Sequence, residues 1–189
     1  MAYQTIEKFK SKISTSGLAS PNKFEVSITK LPTSRAMRRF KDVLQDISLM
    51  CETVSIAGRT VQSTLDTTYG YRREIPYNAP TYNPVTLTFL CSEGLKEKVF
   101  FDNWNDLIIS ESLGFDNEYY DNIVGTMEVK TLNRTNSRAD NYIITYNEVY
   151  PKTVSSVEFN HSTQNATLRV NVEMAYSYWT TGGSGVGDI

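Results

Sequence analysis

Residues 166–179, ATLRVNVEMAYSYW, alternate with a period of two. Leu168, Val170, Val172, Met174, Tyr176 and Tyr178 share one parity, and Arg169, Asn171, Glu173 and Ser177 occupy the other. Successive side chains of a strand point to opposite faces, so this pattern demands a long strand with one face in a core and one kept polar.

Other segments repeat the pattern. KFEVSI places Phe24, Val26 and Ile28 on one face, and VTLTFLC does the same with Val85, Leu87, Phe89 and Cys91. TMEVKTL, NYIITYNEVYP and VSSVEFN read as further strands. In ISLMCETVSIAG the apolar parity switches between Cys51 and Val54, which predicts a bulge near Glu52 and Thr53. Residues 60–77 read as two strands or a long hairpin, and Pro76, Pro80 and Pro84 punctuate the loop beyond. One segment has helical spacing: in 92–110, Leu95, Val99, Phe100, Trp104, Leu107 and Ile108 recur at about 3.6 residues, with Ser92 as the cap. Residues 33–46 predict a short helix or a basic loop, and 111–122 an acidic loop. Strands dominate without βαβ alternation, so the expected fold is mainly β: an antiparallel sandwich or barrel with one packed helix.

At 189 residues the chain fits one domain, expected over 1–179, with 180–189 as a flexible tail. The net charge of −2 gives no broad basic face for nucleic acid. No apolar run approaches the ~20 residues of a membrane-spanning helix. The opening MAYQTIEKFKSKIS lacks the apolar core of a signal peptide, which points to synthesis in a cytosol. Cys51 and Cys91 lie in apolar runs without a CxxC pattern and read as buried thiols.

Catalytic chemistry has little to stand on. His161 is the single histidine and sits in the polar turn FNHSTQN, with no metal-ligand spacing around it. No GxSxG elbow supplies a nucleophile. GGSGVG in the tail lacks the GK[ST] ending of a phosphate loop. Asp116 and Glu118 have no apolar wall to raise a pKa. The expectation is a non-enzyme with no catalytic, metal or cofactor site.

Other residues point outward. TTYGYRREIPYNAPTY gathers Tyr69, Tyr71, Tyr77 and Tyr82 around Arg72, Arg73 and Glu74. Tyr and Arg are favoured at protein interfaces, although an ordinary exposed hairpin with cross-strand aromatics would look the same. Arg35, Arg38, Arg39 and Lys41 form a local basic patch, either a solvated face or a docking surface.

Several stretches together resemble the tail tube proteins of contractile-tailed, T4-like bacteriophages. SPNKFEVSI is similar to that family's entry strand, and MCETVSIAGR to its second strand and turn. PVTLTFLCSEGLKEKVFFDNWNDLI resembles its strand-then-helix unit, including the helix tryptophan, here Trp104. YNEVYPKTVSSVEFNHSTQNATLRVNVEMAYSYW resembles its C-terminal signature, which ends in Tyr-x-Trp. The chain departs from the pattern at Ala57-Gly58, where Pro-Gly is common, and in stretches 33–46 and 111–122.

The resemblance implies hexameric rings that stack into a hollow tail tube conducting DNA without binding it specifically. It implies sheath, tape-measure and baseplate proteins as partners, and a virion tail as the location after synthesis in the host bacterium. Tyr69, Tyr71, Arg72, Arg73, Glu74 and Tyr77 then become candidate subunit-interface residues. Leu95, Val99, Trp104, Leu107 and Ile108 become the packing helix. Arg169, Asn171, Glu173 and Ser177 face either the lumen or outer solvent. Alternatives are a baseplate tube initiator, the inner tube of a contractile injection system, or a monomeric β-barrel that binds a small ligand.

Overall fold

The computed structural model describes residues 2–16, 18–68, 70–77, 81–110, 116–117, 119–132, 142–162 and 166–182. The chain opens with α1 (Ala2–Ser16), β1 (Phe24–Lys30), α2 (Arg35–Arg38), α3 (Leu44–Leu49) and β2 (Cys51–Val54). Four short strands follow: β3 (Arg59–Thr60), β4 (Ser63–Asp66), β5 (Arg73–Pro76) and β6 (Thr81–Tyr82). Next come β7 (Val85–Leu90), α4 (Lys96–Ile108), β8 (Ile109–Ser110), β9 (Asp116–Asn117) and α5 (Tyr120–Ile123). The chain closes with β10 (Gly125–Thr131), β11 (Ile143–Val154), β12 (Arg169–Ala175) and β13 (Tyr178–Gly182).

The alternating segments build one seven-stranded sheet in the order β1-β10-β11-β12-β7-β2, with β13 also pairing with β11. Every pairing in it is antiparallel. The fold is mainly β with helices packed on it.

The sheet folds over on itself at β11. The first part of this strand pairs with β10 and β13, and its last part pairs with β12. Glu148 marks the corner, with a left-handed φ of 55° and a register shift opposite Gly125 and Thr126. The partner ribbon breaks at the same place. Tyr150 pairs with Ala175 and Asn147 with Tyr178, and the chain between Ala175 and Tyr178 leaves the strand conformation.

The core-facing parity flips in both strands there. Tyr146 and Val149 are buried on either side of Glu148. Met174 is buried before the break, whereas Tyr178 after it is 48% exposed. The single strand expected through Tyr178 is therefore two strands joined by a kink. β13 continues to Gly182, past the expected boundary at 179; residues 183–189 lie outside the described residues.

Two further expectations change. Residues 47–49 are helical within α3, so β2 begins only at Cys51. Its register shifts between Cys51 and Thr53, where the parity switch placed a bulge. Residues 155–160 form no strand, because β11 already takes up Val154.

α4 lies over the inner face of the bent sheet. Phe100, Phe101 and Trp104 are fully buried among Leu87, Phe89, Val170, Val172 and Met174. Phe100 meets Trp104 edge-on at 5.7 Å, and Phe101 meets Phe89 at 5.0 Å. Such tilted contacts suit the ring quadrupoles. The Trp104 indole N–H donates to the Ile123 carbonyl at 2.8 Å, which ties α4 to α5. At the start of α4, the buried Glu97 carboxylate accepts from the Ser92 N–H at 2.9 Å and the Ser92 hydroxyl at 3.0 Å. Ser92 Oγ in turn accepts from the Lys96 N–H at 3.4 Å.

Candidate assembly surface

The β4–β5 hairpin stands outside the main sheet and pairs with itself, in register from Ser63 opposite Pro76 to Asp66 opposite Arg73. Its turn is held locally. The Asp66 carboxylate accepts from the Thr68 N–H at 3.0 Å and from the Arg73 guanidinium at 3.4 Å. These contacts, the Thr68 N–H foremost, hold the Asp66 carboxyl below its usual range. The Ser63 hydroxyl donates to Glu74 at 3.3 Å.

The hairpin shows solvent an apolar and aromatic surface. Tyr71 is 98% exposed, and Leu65, Ile75 and Tyr77 are exposed with it. Arg72, Arg73 and Glu74 are also exposed. Tyr69 lies outside the described residues. The 67–77 stretch therefore places Tyr71, Arg72, Arg73, Glu74 and Tyr77 on one protruding element.

The hairpin is anchored at its base. The Tyr77 N–H donates to the Gln62 carbonyl at 3.2 Å, and β3 pairs with β6 at the hairpin base. Arg59 in β3 donates to the Tyr82 hydroxyl at 3.2 Å. Its guanidinium lies 5.8 Å from the Tyr82 ring and 5.7 Å from the Trp179 ring. Behind it, Tyr82, Tyr176 and Tyr146 form a chain of rings at 5.9 and 5.0 Å. Tyr146 accepts from the Ala57 N–H at 3.1 Å, and Tyr176 donates to the Asn83 carbonyl at 3.0 Å. Arg59 thus joins the hairpin base to the C-terminal strand. In the sequence it stands only as the last residue of MCETVSIAGR, with nothing to mark this contact.

The polar parity of β12 makes a second surface. Arg169 pairs with Glu52 on the bulge of β2, and this contact lowers the glutamate pKa. Asn171 accepts from the Thr88 hydroxyl at 2.9 Å and donates its backbone N–H to Ser155 Oγ at 2.8 Å. Glu173 is half-buried opposite Thr86, and Ser177 is exposed at the kink. The face carries the Thr86 and Thr88 hydroxyls, the Asn171 amide, the Arg169–Glu52 ion pair and the Glu173 carboxylate.

Of the residues expected on the helix, Trp104 is fully buried and Leu107 and Ile108 are half-buried, whereas Leu95 lies just before α4 with a left-handed φ of 49° and so outside the helix. Val99 is 44% exposed, and Phe101 occupies the buried stripe instead. In the basic patch, Arg39 lies over the Phe40 ring at 4.8 Å and donates to Asn103, so it serves packing of this segment on α4.

Among the described residues, no group of three or more His, Cys, Asp and Glu is placed to hold a metal. His161 is exposed in its turn. Burial pushes the Cys51 thiol up to about 12, which keeps it protonated and a poor nucleophile.

A family model described as "Phage tail tube protein" matches residues 19–182. The chain belongs to the phage tail tube protein family. Solved structures share its fold. A chain of the anti-feeding prophage baseplate, solved by cryo-EM with six-fold symmetrisation, matches at 12% identity and a TM-score of 0.59. The match covers 89% of this chain and 98% of that one. A chain of the PVC sheath–tube complex, from an extracellular contractile injection system in the extended state, matches at 13% identity and a TM-score of 0.57. There the coverage is 92% of this chain and 97% of the other. A chain of the PVC sheath/tube terminator matches at 13% identity and a TM-score of 0.59, covering 88% and 97%. No curated protein matches the chain. Membership of this family makes the chain a structural component of a virion tail.

Proposed function

We propose that the chain forms hexameric rings that stack into the inner tail tube through which DNA passes at ejection. The observation that carries this reading is the sheet left open at its margins. Among the described residues, β1, β2 and β13 each pair with a single neighbour strand. Free strand edges template pairing with another chain. Joining such edges around a six-fold axis closes one barrel, while head-to-tail stacking of rings remains open and makes a filament.

In this arrangement the β4–β5 hairpin, with Tyr71, Arg72, Arg73, Glu74 and Tyr77, reaches a neighbouring subunit. The β12 residues Arg169, Asn171 and Glu173, with Ser177 beyond them at the kink, line the lumen. Glu52 neutralises its one cation, so passing phosphates meet few lysines or arginines to hold them. Sheath, tape-measure and baseplate proteins are the further partners, and the chain is made in the host cytoplasm before it enters the tail. Negative-stain electron microscopy over a concentration series tests the reading. Hollow rings or tubes support it; a monomer at every concentration, even with a baseplate seed, overturns it.

A second reading is favoured by the likeness to a baseplate chain: a tube initiator, or the inner tube of a contractile injection system. Copy number per particle separates an initiator, at about one ring, from a tube protein. A monomeric ligand-binding barrel is weaker, because Phe100, Phe101 and Trp104 fill the space inside the bent sheet.

A further inference from the structure

A two-stranded hairpin is marginal on its own. The β4–β5 hairpin pairs with no strand beyond itself among the described residues. The ladder at its base is two residues long, with Arg59 opposite Tyr82 and Thr60 opposite Thr81. Neither ladder joins the main sheet among the described residues. The direction in which the hairpin points therefore depends on side chains that tie its base to the sheet.

Arg59 supplies such a tie. Its guanidinium donates to the Tyr82 hydroxyl at 3.2 Å. It lies 5.8 Å from the centre of that ring and 5.7 Å from the centre of the Trp179 ring. Both distances are within reach of the ring quadrupoles. Among the described residues no carboxylate pairs with Arg59, so two rings and a hydroxyl hold it in place. Trp179 takes its position from the same contacts. Its indole N–H is buried without an acceptor among the described residues, whereas that of Trp104 bonds a carbonyl. Packing, not a hydrogen bond, places the Trp179 ring.

Trp179 belongs to β13, which pairs with β11 along one edge and is open along the other among the described residues. Tyr176 holds the Asn83 carbonyl beyond β6, but it precedes β13 at the kink. Arg59 reaches β13 itself.

We propose that Arg59 couples the two assembly contacts. A neighbour's strand added along the free edge of β13 fixes Trp179, and Arg59 passes that constraint to the hairpin base. A closed ring then presents its hairpins in one direction for stacking. The coupling rests on the ring-forming reading, and it makes Arg59 a positioning residue rather than a contact with the neighbour. A planar guanidinium can bond a hydroxyl and meet two rings at once, which a compact charge on a flexible stem does less well.

Electron microscopy and sedimentation of full-chain variants test this by scoring single rings against stacked tubes, with melting as the control for folding. Arg59→Gln is expected to melt near the wild type and to close rings, with a tube-to-ring ratio several-fold lower. Trp179→Phe should lower the ratio in the same direction, because the smaller ring is a poorer partner for a cation. The two together should do no more than Arg59→Gln alone, as when one residue acts through the other. A normal ratio from Arg59→Gln overturns the coupling, and so do additive losses. Rings and tubes lost together, or a melting temperature lowered by several degrees, give Arg59 a merely structural role and overturn it too. Wild-type tubes beside any of these results keep the tube reading. A wild type that stays monomeric at every concentration, even with a baseplate seed, removes both.

Discussion

The ring of Trp104 closes over Gly125 so tightly that no larger residue fits. A Cβ built at position 125 falls 3.0 Å from Trp104 Cη2 and 2.5 Å from the Lys30 carbonyl oxygen. Backbone on one side and a buried indole on the other leave nothing free to move. Gly125→Ala should therefore cost about 1–3 kcal/mol through overpacking. A melting temperature lower by several degrees checks this, and an unchanged one would refute the contact.

Val172 tests the parity of the last long strand. It is fully buried and paired with Leu87. Val172→Asp places an unpaired charge in the core, at a cost of several kcal/mol, and should abolish cooperative unfolding. Asn171→Asp, one residue away on the polar face, should leave the melting curve nearly intact. Equal damage from both would contradict the assignment of faces.

The two hairpin arginines should separate cleanly. Arg73 bonds Asp66 directly across the hairpin, so Arg73→Glu sets two carboxylates opposite each other and loosens the turn itself. Arg72 is exposed and sits in the turn outside β5. Arg72→Glu should leave the hairpin folded and stop polymerisation, read as soluble subunits by sedimentation with unchanged circular dichroism. Normal tubes from Arg72→Glu would remove the hairpin from the interface.

Acid should loosen the same turn. The folded Asp66 carboxyl is held below its ordinary value by the Thr68 N–H and Arg73. A depressed carboxyl stabilises the folded form above the unfolded pKa and loses that contribution as pH falls through the folded one. Amide exchange at Thr68 should therefore accelerate below the ordinary aspartate range, and Asp66→Asn should flatten the dependence.

Elements governed by alternation were legible in the sequence. β1, β7, β10 and β12 each bury one parity, and α4 keeps its helical stripe, because a single buried face writes a period directly into the residues. Ile47–Leu49 were not legible. Apolar residues adjoining a real strand carry strand character, and only their place against β1 makes them helical. The kink at Tyr176–Ser177 was hidden because it stands opposite the corner at Glu148 on the partner strand, a match that appears only in space. On the surface, the tyrosines and arginines of 67–77 stood out by composition. Arg59 did not, since its role depends on Trp179 and Tyr82 meeting it in space.

β11 runs beside β10, β12 and β13 along twelve residues, crossing the corner without a loop. Its length has a mechanical consequence. A pull along this strand loads three ladders in shear at once, so their hydrogen bonds share the force rather than opening one after another. The corner at Glu148 bends that strand without interrupting it, and tension on one half of the sheet passes straight into the other.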